Sequence, residues 1–173
     1  MLTTLLLGGV LGAVIVFVWN AISWMLLPWH QWTFSKFKDE ETVGRVIAAN
    51  VDRDGLYLGP CPSKTGEPPK AGPRIFSTVR LGGMEGMGRY LIGSFLIGLL
   101  GALFIMGLLL HHTPGNSYAH RVGFVMVVAL TGGILSHLPY WNWWGFPASY
   151  TAVAVADLII GWGLAGVAMA ALL

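Results

Sequence analysis

"LLLGGVLGAVIVFVWNAISWMLL", residues 5–27, is a run of 23 residues without one charged side chain. Coiled as an α-helix it would be about 34 Å long, and the hydrocarbon core of a bilayer is about 30 Å thick, which takes roughly 20 helical residues to cross. The stretch therefore predicts a membrane-spanning helix. A cleaved signal peptide is the competing reading. It is disfavoured because the run has no basic start and because bulky Trp24, Pro28 and Trp29 stand where small residues would be needed for cleavage.

Three more apolar runs follow, Tyr90 to Leu110, about Val122 to Leu138, and Ala148 to Leu173, the second of these being short for a span. In lipid every backbone N–H and C=O must be satisfied internally, and helices do this within one segment. The composition agrees: 55% of the residues are hydrophobic and 10% charged, against about 25% charged in a soluble domain. A net charge of +2 is too small to argue for nucleic acid. The single cysteine, Cys61, supports neither an internal disulfide nor a paired-cysteine metal site.

The expected spans are joined unequally. Residues 33–89 form one long connection holding nine of the ten lysines and arginines, and only Arg121 lies elsewhere. The positive-inside rule places that connection in the cytoplasm and both termini outside, on the periplasmic side. Within it, Asp39 is placed to cap a short helix, with Glu40 and Glu41 in its first turn and Val43, Val46 and Ile47 on one face. "GLYLGP" (55–60) and "RIFSTVRL" (74–81) read as short strands. "CPSKTGEPPKAGP" (61–73) between them reads as turn or flexible loop. The expectation is a small helix-plus-β-hairpin insertion lying on the membrane surface.

Taken at steps of three and four, each span has a stripe of small or polar residues: Gly9, Gly12, Val16, Asn20 and Ser23; Ser94, Gly98 and Gly101; Val125, Ala129, Gly132 and Ser136; Tyr150, Ala154, Asp157, Gly161, Ala165 and Ala168. Helices in lipid associate through small residues and interhelical hydrogen bonds, so these stripes are the expected inner faces. The predicted fold class is an all-α membrane protein, four transmembrane helices in an up-down bundle. "GWGLAG" (161–166) fits a dinucleotide-binding pattern, but it lies inside an apolar span with no strand before it, and close helix packing explains its glycines better.

In such a bundle Ser94 and Ser136 lie within about 6 Å of the long-loop boundary, Asn20 about 10 Å deep and Asp157 about 14 Å. With Ser23, and with His30 and His137 at the mouth, they define a candidate ligand or proton site in one leaflet. Asp157 is the only acid or base in the interior of any span. An ionised carboxylate there costs at least about 2.5–3.5 kcal/mol, so it is protonated, paired or hydrated. His111, His112 and His120 fall on the opposite surface with Arg121. No histidine spacing demands a metal.

"PYWNWWGFP" (139–147) reads as an aromatic bend. Tyr140, Trp141, Trp143 and Trp144, with Trp24, Trp29 and Trp32 from the exit of the first span, make a belt on the loop side. Tryptophan and tyrosine favour the headgroup boundary. The belt is also large enough for a lipid, a quinone or a docking protein.

"WNAISWMLLPWHQWTFSKFKDEETV" (19–43), followed by "GLYLGP", resembles a family of small bacterial integral membrane proteins with a tryptophan-rich first-helix exit, an LPWH turn and an acidic pair. The resemblance covers the first third of the chain. It implies the bacterial inner membrane and brings no reaction or catalytic residue.

Two functions are expected in competition: an accessory or scaffold subunit of a larger membrane assembly, and a lipid, quinone, proton or cation site centred on Asp157 and His137. The expected partners are the bilayer, other membrane subunits or a second copy of the chain. No nucleophile elbow, HExxH or phosphate loop is present, and Ser23 and Ser136 near histidines are not by themselves dyads. No catalytic residue and no cofactor is predicted; quinone, haem and metal stay open.

Overall fold

The computed structural model describes residues 1–61, 72–83, 86–112 and 114–173. It is mostly helical, with α1 (Leu2–Met25), α2 (Glu40–Ala49), α3 (Met87–His112), α4 (Tyr118–Trp144) and α5 (Ala148–Ala170), and a two-stranded sheet of β1 (Gly55–Gly59) and β2 (Ile75–Val79). Helices α1, α3, α4 and α5, of 24, 26, 27 and 23 residues, are long and apolar enough to cross a membrane. The chain divides into two units, residues 36–87 and the four long helices with the segment to Ser35.

In the smaller unit the Asp39 carboxylate accepts the Thr42 backbone N–H at 2.9 Å, capping α2 as expected. That hydrogen bond holds its carboxyl below the ordinary value of 3.8. β1 and β2 pair antiparallel with Gly55 opposite Val79 and Gly59 opposite Ile75. Beyond the Gly55–Val79 pair the Leu81 N–H donates to Asp54 Oδ1 at 2.9 Å. Of the expected loop between the strands, residues 62–71 lie outside the described residues.

In the larger unit α5 packs against both α1 and α4. Small residues permit the approach: a Cβ at Gly12 would lie 2.7 Å from Met169 Sδ and 3.2 Å from Ala102 Cβ, and one at Gly166 would lie 2.9 Å from Val125 Cβ. The α3 side chains Leu103 and Met106 reach Gly9 and Gly8 of α1 in the same way. Val16, Ile105, Met106, Leu109, Val125, Ala165 and Met169 form the apolar core, all away from the tryptophan-rich end.

The seams differ from those expected. On α1, Gly9, Gly12, Val16 and Ser23 are buried as anticipated, but Asn20 is exposed and Trp19 turns inward instead. On α3 the buried residues are Ala102, Ile105, Met106 and Leu109, and Ser94 is exposed. On α4, Gly133 replaces Gly132 and Ser136, both exposed; on α5, Thr151, Gly166, Met169 and Ala170 are buried beside Asp157, Gly161 and Ala165. Steps of three and four offer two candidates per turn, separated by about 100° of rotation. Choosing the smaller or more polar one ignores that, in lipid, burying leucine and exposing serine are settled by shape and hydrogen-bond partners rather than hydrophobicity.

The bend expected over 139–147 is confined to its last three residues. α4 continues through Pro139 to Trp144, although proline has no N–H to give the carbonyl one turn back. Gly145, at φ 72° and ψ 26°, ends the helix. The N–H groups of Gly145 and Phe146 both donate to the Tyr140 carbonyl, and α5 begins directly after Pro147. The left-handed conformation favours glycine, and proline suits the start of the next helix. Three residues thus join α4 to α5 in a tight hairpin.

Candidate polar site at the tryptophan-rich end

The last two turns of α1 carry Trp19 and Ser23, four residues apart and therefore on one face. After Met25 the chain turns through Pro28 into a 3₁₀ turn, Gln31–Thr33, which returns His30 against α1 and α5. The His30 carbonyl accepts the Thr33 hydroxyl at 2.7 Å, tightening that turn. Asp157 comes from α5, about 14 Å along the helix from its start.

These side chains close on one another. Trp19 Nε1–H donates to Asp157 Oδ1 at 2.7 Å. His30 Nε2 lies 3.1 Å from Asp157 Oδ2 and 2.9 Å from Ser23 Oγ. Trp29 Nε1–H donates to Ser23 Oγ at 2.9 Å. The Trp24 indole stacks on the His30 ring at 3.8 Å and 11°, and Trp29 meets the same ring edge-on at 5.9 Å. Ser23 is fully buried, His30 is 5% exposed and Asp157 8%. Room for Trp19 comes from Gly161, one turn beyond Asp157, where a Cβ would lie 2.7 Å from the indole Cδ1.

Magnitudes show how hydrogen bonds offset the burial of an acidic side chain here. Leaving it ionised and alone at this depth costs about 2.5–3.5 kcal/mol, whereas each hydrogen bond to a charged group contributes about 1.5–3 kcal/mol. Trp19 and His30 supply two. The proton accounting is also constrained. An Nε2–H pointing between Asp157 Oδ2 and Ser23 Oγ serves both acceptors. An unprotonated Nε2 would instead offer a single lone pair to two donors.

Ser23, His30 and Asp157 have the composition of a hydrolytic triad but not its geometry. A triad needs the serine on one ring nitrogen and the acid on the other, so that a proton taken from the first is stabilised across the ring. Here both touch Nε2, and Ser23 Oγ is fully enclosed and already accepts from Trp29. The geometry is that of a closed hydrogen-bonded cluster rather than of a triad.

Of the site residues expected from sequence, the fold brings Asp157, Ser23 and His30 together, and adds Trp24 and Trp29 from the rim. Asn20, Ser94 and Ser136 are exposed, and His137 is half-buried on α4. None of these four is hydrogen-bonded to the cluster, so His30 takes the place expected of His137 beside Asp157. Trp32 is 76% exposed, and Tyr140, Trp141, Trp143 and Trp144 are exposed as well. Trp19 was not anticipated. Its sign in the sequence is depth: a tryptophan about 9 Å inside a span, away from the interface that suits it, needs an acceptor for its N–H.

Two other features complete the picture. A groove of about 430 Å³ runs between α4 and α5, lined by Leu138, Trp141, Ala148, Thr151, Ala152, Val155, Ala156 and Ile159. It is apolar, and the Thr151 hydroxyl in it is already donated to the Pro147 carbonyl at 3.2 Å. Among the described residues no three histidines, cysteines or acids gather as a metal site; His111, His112 and His120 are exposed.

The chain matches no protein-family model, no curated protein and no solved structure.

Proposed function

We propose that this chain is an accessory or scaffold subunit of a larger membrane assembly and performs no catalysis of its own. The observation that carries the reading is the openness of the first half of α3 at Gly93, Ser94 and Gly98. Ser94 is exposed, and a Cβ at Gly93 or Gly98 would meet open space within 4 Å. Small residues on a membrane helix are where another helix approaches closely, and the chain's own helices leave these unused. The closed polar cluster supports the same view, since its side chains are spent on one another. In this reading the four long helices form an up-down bundle in a bacterial inner membrane, with the long connection in the cytoplasm and both termini in the periplasm.

The test is extraction of the native membrane in mild detergent, followed by size separation. Co-migration with larger partners, lost on Gly98→Leu or Ser94→Leu, is the expected result. A solitary species of unchanged size in wild type and variants would defeat the proposal.

A second reading, a lipid or quinone site, is favoured by the groove between α4 and α5. Native mass spectrometry should then show a bound lipid or quinone that Ala152→Trp displaces.

A further inference from the structure

We propose that Asn20 of α1 and Ser94 of α3 are the hydrogen-bonding centre of an interface between two copies of this chain within the membrane. The inference rests on the scaffold reading for its contact face, the open half of α3, and names what meets that face.

It starts from an amide in an unsuitable solvent. Asn20 lies about 10 Å inside the first span, on a helix long and apolar enough to cross a membrane. Its side chain is exposed, and among the described residues it has no hydrogen-bond partner. Acyl chains supply neither donors nor acceptors, so polar side chains at such depth almost always face another helix. Trp19, its neighbour on α1, has Asp157 to receive its N–H; Asn20 is left over. Ser94 is exposed and without a partner in the same way. A serine hydroxyl can fall back on a carbonyl of its own helix. An amide, with two donors and an acceptor, is not satisfied that way.

The fold sets the two groups at one depth. α1 and α3 run antiparallel: Gly9 meets Leu103, Gly12 meets Ala102, and the rings of Phe17 and Phe95 meet edge-on at 5.7 Å. Continued by three residues, that register puts Asn20 level with residues 92–94. On α3 a Cβ at Gly93 or Gly98 would meet nothing within 4 Å, which leaves room for another backbone to come close.

That shared depth selects a second copy. A two-fold axis along the membrane normal keeps every residue at its own level. Applied to a face made of two adjacent helices, it sets α1 of one copy across from α3 of the other. Asn20 of each copy then meets Ser94 of the other, giving the same contact twice. Amide and hydroxyl each donate and accept, so the patch is complementary to itself. Residues 2–25 and 90–110 include no Asp, Glu, Lys or Arg, so a second copy brings no like charges together there.

The experiment uses the full chain purified alone and labelled at its single cysteine, exposed Cys61, with donor or acceptor dye. Energy transfer between copies in phospholipid vesicles is followed as added lipid dilutes the protein. Wild type should associate reversibly. An interhelical hydrogen bond in lipid is worth about threefold in such an equilibrium, and two equivalent bonds about tenfold. Asn20→Leu and Ser94→Ala should therefore each weaken association by about tenfold. Both side chains are exposed, so neither change disturbs the packing within one copy, and either variant suffices if the other fails to fold. A wild type that stays single at every dilution overturns the proposal, as does undiminished association in either variant. A purified chain that is single yet co-migrates with larger partners from native membranes defeats this inference and leaves the scaffold reading standing. Paired copies with no further partner do the reverse.

Discussion

Gly161→Ala tests whether the polar cluster is as tightly built as its distances imply. The added Cβ would lie 2.7 Å from Trp19 Cδ1, while ordinary contact begins near 3.4 Å. The indole must retreat by about 0.7 Å or more to restore ordinary contact. Its Nε1, now 2.7 Å from Asp157 Oδ1, would then stand near or beyond the 3.2 Å at which N–H···O bonds fade. Overpacking costs about 1–3 kcal/mol and a lost bond to a charged group about 1.5–3 kcal/mol. Exchanging glycine for alanine in a helix returns about 1 kcal/mol. The net effect is destabilisation by about 1.5–5 kcal/mol, at least a tenfold change in the folded-to-unfolded ratio. Gly132→Ala is the control, because a Cβ there meets nothing within 4 Å. It should be neutral or stabilising by up to about 1 kcal/mol. Reversible unfolding in mixed detergent micelles, followed by near-ultraviolet circular dichroism, measures both. In a Trp19→Ala background the Gly161→Ala penalty should vanish, as a double-mutant cycle requires of a direct contact. If Gly161→Ala and Gly132→Ala agree within about 0.5 kcal/mol, Trp19 does not occupy the hollow and the packing argument fails.

Trp19→Phe keeps the ring and removes the N–H, leaving Asp157 Oδ1 short of a donor; a loss of about 1.5–3 kcal/mol is expected in the same assay, and an unchanged midpoint would refute the bond. The Asp39 carboxyl titrates below its ordinary value because the folded cap stabilises the charged form. Its contribution is therefore present above pH 3.8 and disappears as pH falls through the lowered value. Far-ultraviolet circular dichroism of the whole chain should register a loss of α2 helicity on acidification, and Asp39→Asn, which still caps without titrating, should remove that component. Exposed Cys61 reports sidedness: in sealed right-side-out vesicles a membrane-impermeant maleimide should react only after permeabilisation, and labelling of intact vesicles would reverse the proposed orientation.

The long apolar helices were legible because length and lack of charge are coarse properties that one miscounted turn cannot erase. Asp157 was legible for a related reason, since a lone acid in an apolar run must find partners. Which partners was harder to read. Asn20 and Trp19 sit 100° apart on the same turn, and preferring the amide overlooked that an indole also carries a donor and that Gly161 leaves a hollow for it. His30 and His137 flank the same end, but only the backbone reversal at Pro28 turns His30 inward, and such a reversal depends on tertiary contacts. The aromatic stretch misled through Pro139, which normally ends a helix; α4 runs on to Gly145 nonetheless. On α3 the expected stripe holds only at Gly101, which lies under Trp162; Ser94 is exposed and Gly98 faces open space, whereas Met106 fills the space over Gly8.

The two halves of the central ion pair are 127 residues apart. At about 5–20 residues per second a ribosome needs roughly 6–25 s to travel from one to the other. During that interval the imidazole has already emerged while its carboxylate does not yet exist. Synthesis therefore places His30 and Trp19 in the chain many seconds before Asp157, and a chain truncated before residue 157 lacks the carboxyl group that both contact.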